Sequence, residues 1–326
     1  MSGREILYLS YEDIKELDFG MDEIVRLVER AFGDKAKGDT EMPPKPGIHP
    51  AAGDAFIHAM PAYLRSMSAA GMKWVSGYPE NFKRNLPYIS GLIILNDPST
   101  GVPISVMDAT WITAMRTGAA TGVAAKYLAR PDSETVCIIG CGVQGRSNLE
   151  ALHTIMGSME EVRAYDTSSL SLQRYVEKMS KKFGVTVKPA KGPRDAIEGS
   201  DVIVTASPIL KHPNPVIEKS WVKSGVFACP IDFDSYWKPE AMHFMDKFCT
   251  DDTQQIGYYK SVGYFQDIPK VYADLGELII RKKAGRENDK ERIMSMNLGV
   301  AIEDIAVAAR IYDAARRKGA GQTLPL

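Results

Sequence analysis

Val136-Cys137-Ile138-Ile139-Gly140-Cys141-Gly142-Val143-Gln144-Gly145 is the stretch whose reading decides the fold. A β-branched apolar run stops at a glycine, and a G-x-G-x-x-G follows without a gap. This is the pattern of a buried strand turning into a helix whose N-terminus receives a pyrophosphate. Gly140 permits the tight turn, Gly142 leaves bare backbone for the phosphates, and Gly145 lets the helix lie close to the sheet. A lone motif of this kind is weak, because glycine-rich turns are common. Here the flanks agree with it. Residues 135–139 read as a buried parallel strand, and 146–156 as a helix with Leu149, Leu152, His153 and Met156 on one side. A second strand, 162–165, ends on Asp166, about twenty residues past the loop, where an acid meets the adenosine ribose. A carboxylate there accepts from the 2′-hydroxyl of NAD and repels a 2′-phosphate. Thr167, Ser168 and Ser169 follow, with no base until Arg174, so the expected cofactor is NAD.

Beyond Asp166 the elements alternate as in a doubly wound parallel sheet. Helices are expected at 170–183 and 193–198, and strands at 185–187, 201–206, 225–229 and 247–250. The opening third differs. A strand at 6–9 and a helix at 22–37 precede Glu41-Met42-Pro43-Pro44-Lys45-Pro46-Gly47, too proline-rich for regular structure. Strand-like pieces follow at 55–60, 70–76 and 89–95, the last joined to 102–108 through a hairpin sequence, Asn96-Asp97-Pro98-Ser99-Thr100-Gly101. A long helix of small residues, 111–129, leads into the nucleotide strand. The charge run 281–292 reads as a solvated face. An amphipathic helix at 300–316 comes after the alternating strands and suggests a return to the first domain. The fold class is therefore α/β: a Rossmann doubly wound parallel sheet plus a discontinuous α+β domain.

The 326 residues suffice for two cores. A net charge of -1 gives no electrostatic reason to expect nucleic acid or an anionic membrane. No signal peptide or membrane span is legible, and the four cysteines (Cys137, Cys141, Cys229, Cys249) form no C-x-x-C. The five histidines lack ligand spacing, so no metal is expected. A cytoplasmic protein is the simplest reading.

Four places outside the glycine loop carry candidate chemistry. Lys73 interrupts the apolar strand Gly71-Met72-Lys73-Trp74-Val75; an ammonium there is costly unless it meets an anion, the alternative being an edge lysine turned to water. Arg116 lies on the small-residue helix, where a guanidinium holds a carboxylate bidentately or makes an interdomain salt bridge. Asp232 and Asp234 follow a sheet strand, where catalytic groups gather, though turn and cap aspartates are also common. His58 is a substrate-binding candidate or simply a packed histidine.

At these residues the chain resembles the ornithine cyclodeaminase/mu-crystallin family. The likeness is carried by residues 71–81, by Leu95-Asn96-Asp97-Pro98 through Gly101, by Met107-Asp108, and by Ile112-Thr113 with Arg116-Thr117. The Gly140 loop with Gln144 and the tail Asn297-Leu298-Gly299-Val300-Ala301-Ile302-Glu303-Asp304 match as well. The resemblance implies a homodimer. Each subunit would have a substrate-binding and dimerisation domain, residues 1–115 completed by 298–326, and a Rossmann domain, residues 116–297. It implies hydride transfer at the α-carbon of an amino or imino acid, with Lys45, Lys73, Arg116 and His58 at the substrate and Lys73 also in acid/base chemistry. The family arginine of the proline-rich loop falls on Lys45, a point charge that cannot grip bidentately. The implied cofactor contacts are Arg116, Thr117, Gly140, Gly142, Val143, Gln144, Gly145, Asp166, Thr167, Thr205, Ala206 and Asn297.

The family's catalytic aspartate precedes a glutamate in G-x-D-x-P-G-K-x-E, which selects Asp234, with Lys238 and Glu240. The chain departs from that pattern at Asp232, Tyr236 and Trp237. The two aromatics are expected to reshape the substrate pocket, and Asp232 to recognise an amine or raise its neighbour's pKa. His58 stands where the cyclodeaminase pattern has a glutamate, which counts against ornithine. The expected function is an NAD-dependent oxidoreductase of alanine dehydrogenase or imino acid reductase type. The rivals are a redox-neutral cyclodeaminase and a non-catalytic nucleotide or small-ligand binder.

Overall fold

The computed structural model describes residues 5–50 and 54–326. The chain forms two compact units: Met1–Arg116 with Gly299–Leu326, and Thr117–Leu298.

In unit 1, β1 (Glu5–Leu9), α1 (Tyr11–Glu16) and α2 (Met21–Lys37) are followed by the short β2 (Thr40–Glu41) and β3 (Gly47–Ile48). Then come β4 (Phe56–Leu64), β5 (Ala69–Gly77), β6 (Ile89–Asn96) and β7 (Pro103–Asp108). α3 (Thr110–Leu128) begins in this unit and runs into the next. The unit is completed by α10 (Ala301–Lys318) and β16 (Gln322–Pro325). The sheet order is β16-β1-β7-β6-β5-β4-β2, with β3 also on β4; β1 and β7 are parallel and the other pairs antiparallel. The two ends of the proline-rich loop thus do enter the sheet, because edge pairing asks no ladder bond of the prolines between them.

Strand alternation divides this sheet cleanly. Met60, Lys73, Val75, Ile93, Leu95 and Met107 are buried on the side carrying α10, and Ile305 of α10 lies against Gly71. A Cβ on Gly71 would come within 3.1 Å of the Ile305 methyl and 2.4 Å of the Ile94 carbonyl. On the opposite face Trp74 and Leu92, directly paired across β5 and β6, are 42% and 44% exposed.

Unit 2 holds β8 (Thr135–Ile139), α4 (Val143–Ile155), β9 (Glu161–Tyr165), α5 (Ser169–Phe183), β10 (Thr186–Pro189), α6 (Pro193–Ile197) and β11 (Val202–Thr205). It continues with β12 (Phe227–Pro230), α7 (Pro239–Met242), β13 (Lys247–Thr250), α8 (Thr253–Ser261), β14 (Ala273–Asp274), α9 (Leu275–Ile279) and β15 (Ile293–Met296). All pairs in its sheet are parallel, in the order β10-β9-β8-β11-β12-β15-β13-β14. The direction of winding reverses between β8 and β11, which is the switch point where such sheets bind ligands, beyond the carboxyl ends of the strands.

Three expectations need correcting here. The helix after the glycine loop starts at Val143 rather than residue 146, directly behind Gly142 as N-cap. The alternating strands do not stop at residue 250: β15, a four-residue run, is inserted between β12 and β13. The charge run is not wholly a solvated face. Arg286 is half-buried and donates to the Leu128, Val226 and Glu291 carbonyls, and Lys247 pairs with Glu287 and Glu291. These contacts close the strand ends that the run passes.

Candidate active site

Unit 1 gathers its cations around the first turn of α10. Lys73 is 0% exposed on an interior strand, which rules out the edge-lysine reading. Its Nζ donates to Asp304 Oδ1 at 2.7 Å and more weakly to Thr113 Oγ1 at 3.4 Å. Arg116 donates from Nε to the same Asp304 oxygen at 2.9 Å and from Nη1 to Glu303 Oε2 at 2.9 Å. Both of these acids lie in unit 1 with Arg116. Gly299, at φ +73°, lies directly over the guanidinium: a Cβ there would be 2.3 Å from Nη1. Lys45, buried despite its loop, donates to the Gly299 carbonyl at 2.9 Å.

The electrostatics of this cluster are uneven. Burial first, and the Arg116 charge second, pull Lys73 down to about 7; Asp304 opposes them. His58 is stacked on Phe56 at 4.2 Å between ring centroids. Burial, with Lys45, His49 and Lys73, pushes it down to about 3, so it is neutral at physiological pH. Three cations (Lys45, Lys73, Arg116) are thus gathered, buried, at the first turn of α10, with Asp304 binding two of them and Glu303 one. Glu303 and Asp304 were not singled out from the sequence. Two acids in a helix's first turn are ordinarily complements to the helix dipole. The signal was indirect: buried cations demand counter-charges.

Unit 2 carries the dinucleotide half. Gly140 adopts φ +96°, and a Cβ there would lie 2.4 Å from the Ala206 carbonyl, so the β8 and β11 turns meet backbone to backbone. A Cβ on Gly145 would lie 2.1 Å from the Gly140 carbonyl, which is the helix-to-turn approach expected of the third glycine. Gly142 is exposed and its Cβ direction meets nothing within 4 Å. As N-cap it has no side-chain hydrogen bond, so the first N–H groups of α4 stand open to an anion. Val143 is exposed, and Gln144 half-buried beside it. Asp166 Oδ2 accepts from Cys141 N and Oδ1 from Ser168 N, both at 2.8 Å. Each oxygen keeps a second lone pair for a ribose hydroxyl. Thr167 is exposed next to it, and Thr117 is half-buried on α3. These residues fit an NAD-type dinucleotide.

Two expected cofactor residues point elsewhere. Thr205 Oγ1 is buried, donating to Asp232 Oδ1 at 2.5 Å and accepting from Trp237 Nε1 at 3.3 Å. Asn297 is buried, accepting from Ser295 Oγ and donating to Cys229 Sγ. Their side chains hold the strand ends rather than reach outward.

The aspartate pair separates by function of its backbone. Asp232, 0% exposed, takes Thr205 Oγ1, Ser207 N (2.9 Å) and Ser207 Oγ (2.6 Å). It fixes the turn after β11 and does not present itself to an amine. Burial, opposed by these bonds, leaves it at about 6. Phe233 follows at φ +62°, a conformation a bulky side chain adopts only under constraint. The constraint is visible: its ring is wedged among Tyr259, Tyr264 and Phe265 at 5.1–6.1 Å between centroids. Asp234, next in the chain, is buried, and its Oδ1 has no hydrogen-bond partner among the described residues. Burial raises its pKa; Asp232 is not among the causes. Trp237 is core, 0% exposed, and does not line a pocket as expected; Tyr236 is half-buried, its hydroxyl pushed up to about 12.

A parallel sheet with a glycine-rich turn at its switch point and an acid after the second strand defines a Rossmann-type dinucleotide-binding protein. The chain belongs to the ornithine cyclodeaminase/mu-crystallin family, whose model matches residues 5–319. It is 37% identical to the alanine dehydrogenase of Archaeoglobus fulgidus over 329 residues, covering 98% of each chain. Among solved structures it is similar to the Thermococcus litoralis Δ1-pyrroline-2-carboxylate reductase in complex with NADH and L-proline. That match has 35% identity and a TM-score of 0.88, covering 97% of this chain and 99% of that one. An archaeal alanine dehydrogenase dimer with bound NAD matches at 36% identity and a TM-score of 0.88, covering 99% and 100%.

Proposed function

We propose that the protein is an NAD-dependent oxidoreductase that transfers hydride at the α-carbon of a small amino or imino acid, of alanine dehydrogenase or imino acid reductase type. The observation that carries this reading is the gathering of three buried cationic side chains, Lys45, Lys73 and Arg116, at one helix turn in a chain whose relatives act on amino and imino acids. A substrate carboxylate is the anion such a cluster suits. When bound, the nicotinamide gives or takes the hydride at the substrate's α-carbon. Lys73 and Arg116 orient the carboxylate, and Lys45 adds charge. Asp234, kept protonated more readily by burial, would donate a proton to the imine nitrogen as the hydride reaches the α-carbon, and in the reverse direction take a proton from the amine, or from the water that attacks the imine. Gly142 and the α4 N-terminus hold the pyrophosphate, and Asp166 the adenosine ribose.

The same cluster bears on the substrate side chain. His58 is neutral and Glu303 and Asp304 are already ion-paired, so the cluster provides no carboxylate for a second ammonium. Neutral side chains are favoured over ornithine. Screening amino acids with NAD, and cyclic imino acids or 2-oxo acids plus ammonia with NADH, tests the proposal by absorbance at the nicotinamide band. Net NADH formation or consumption supports it; ammonia release without any NADH change sinks it. Asp166→Ala is expected to raise kcat/KM for NADP relative to NAD by at least about tenfold, from one carboxylate–phosphate repulsion removed.

We also propose a cytoplasmic homodimer formed through the Trp74–Leu92 face of unit 1. Trp74 and Leu92 are apolar and uncovered at the centre of that face, and the archaeal relative is a dimer. Trp74→Glu places a charge in that face and is expected to yield monomers by sedimentation velocity; an unchanged dimer would exclude this face.

A further inference from the structure

We propose that Asp304 is a positioning residue for the carboxylate-binding cations: through a single oxygen it holds the Lys73 ammonium and the Arg116 guanidinium at one fixed spacing. The inference rests on the proposal that this cluster binds a substrate carboxylate.

The geometry is specific. Asp304 Oδ1 accepts from Lys73 Nζ at 2.7 Å and from Arg116 Nε at 2.9 Å, while Oδ2 is buried without a hydrogen-bond partner among the described residues. A carboxylate that served only to stabilise α10 would spread its bonds over both oxygens or cap the helix. In this first turn the capping bond belongs to Glu303, whose Oε1 accepts from Val300 N at 3.0 Å. Asp304 instead spends its one bonded oxygen on two cations from different elements, β5 and α3. Both are buried, and Lys73 also feels the charge of Lys45 and acts on the neutral His58. Without the shared oxygen, an ammonium and a guanidinium facing one another would separate by repulsion. A carboxylate arriving between them would meet a wider and less defined gap.

The protonation of Lys73 provides a second handle. Burial, Arg116 and Lys45 favour loss of its proton, and Asp304 opposes them through its charge and its hydrogen bond, with Glu303 acting more remotely through Arg116. Asp304→Asn therefore moves the Lys73 titration further below 7. The expected result is a KM for the amino or imino acid raised at least about tenfold at pH 7.5, with kcat less affected. The alkaline limb of kcat/KM should shift acidward by at least about one pH unit, a tenfold change in proton activity. Asp304→Glu keeps the charge but displaces the oxygen. It should restore the limb while leaving KM raised. Glu303→Gln, which removes an acid bonded to Arg116, should shift the limb less than Asp304→Asn does.

A purely structural role would lower Tm without moving the limb. Wild-type KM and an unshifted limb in Asp304→Asn would overturn the proposal, as would wild-type KM in Asp304→Glu should the amide variant not fold. The Lys73 Nζ resonance in lysine-15N-labelled protein reports the same coupling without turnover. A wild-type enzyme inactive on every amino and imino acid would sink the functional reading. An Nζ titration identical in wild type and Asp304→Asn would separately sink this one.

Discussion

Asp234→Asn is expected to lower kcat by about 10²–10⁴-fold, the range by which a positioned proton donor accelerates a transfer. NADH affinity should stay within about threefold of wild type. Asp234 Oδ1 is buried without a hydrogen-bond partner among the described residues. Leaving a carboxylate oxygen unpaired out of water costs about 1–3 kcal/mol or more for a charged group, and Asp234 Oδ1 has no partner to offset that. The neighbouring residue is also held in the left-handed region, and the aromatic packing of Phe233 sustains it. An unsatisfied acid behind a strained residue, after a strand of a Rossmann sheet, is a functional arrangement rather than a packing solution. Burial raises its pKa, so more of it carries the proton at neutral pH than an ordinary aspartate does. The amide has the same shape but neither donates an acidic proton nor takes one up. Steady-state rates and a fluorescence titration with NADH read the two quantities separately. A variant with wild-type kcat would remove Asp234 from the chemistry and move attention to Lys73.

The turn residues of unit 2 were legible because they are constrained by backbone geometry. Gly140, Gly142 and Gly145 each have a separate steric reason, and each reason reappears in the structure as a collision or an opening. Lys73 was legible because an ammonium breaks an apolar alternation, and a buried cation must have a partner. What the pattern does not encode is the partner's identity. Glu303 and Asp304 lie 187 and 188 residues from Arg116, and nothing local distinguishes them from dipole-complementing acids. The Asp232-Phe233-Asp234 run misled for a related reason. The family pattern selects Asp234 but does not say where Asp232 points; in the structure Asp232 turns back to Thr205 and Ser207, Phe233 has a positive φ, and Asp234 keeps one oxygen without a partner among the described residues. Trp237 looked like a pocket residue because the usual pattern has a glycine there. The structure uses the space to fill the core of unit 2, with its indole N–H donating to Thr205. β15 was missed since a four-residue strand beside a charge run carries too little periodicity to register.

Arg116→Lys is expected to reduce kcat/KM by about a hundredfold, mostly through KM, although charge is conserved. The guanidinium meets Asp304 with Nε and Glu303 with Nη1 at 2.9 Å each, a fork that a single ammonium cannot reproduce. Its planar shape is also built into the fold, since Gly299 at φ +73° leaves room for the group only because it has no Cβ. A lysine reaching the same place would satisfy one acid and leave the other buried carboxylate short of a donor. Losing one charge-assisted bond of this kind costs about 1.5–3 kcal/mol. Near 3 kcal/mol corresponds to roughly a hundredfold. Under the proposed function the loss should fall on substrate capture: a group that holds the carboxylate equally before and during hydride transfer contributes uniform binding, which appears in KM rather than kcat. Initial rates across amino acid concentration at saturating cofactor separate the two parameters. A fall confined to kcat would mean that Arg116 acts on the transferring hydride's geometry and not on the carboxylate, and the proposed carboxylate site in unit 1 would fail with it.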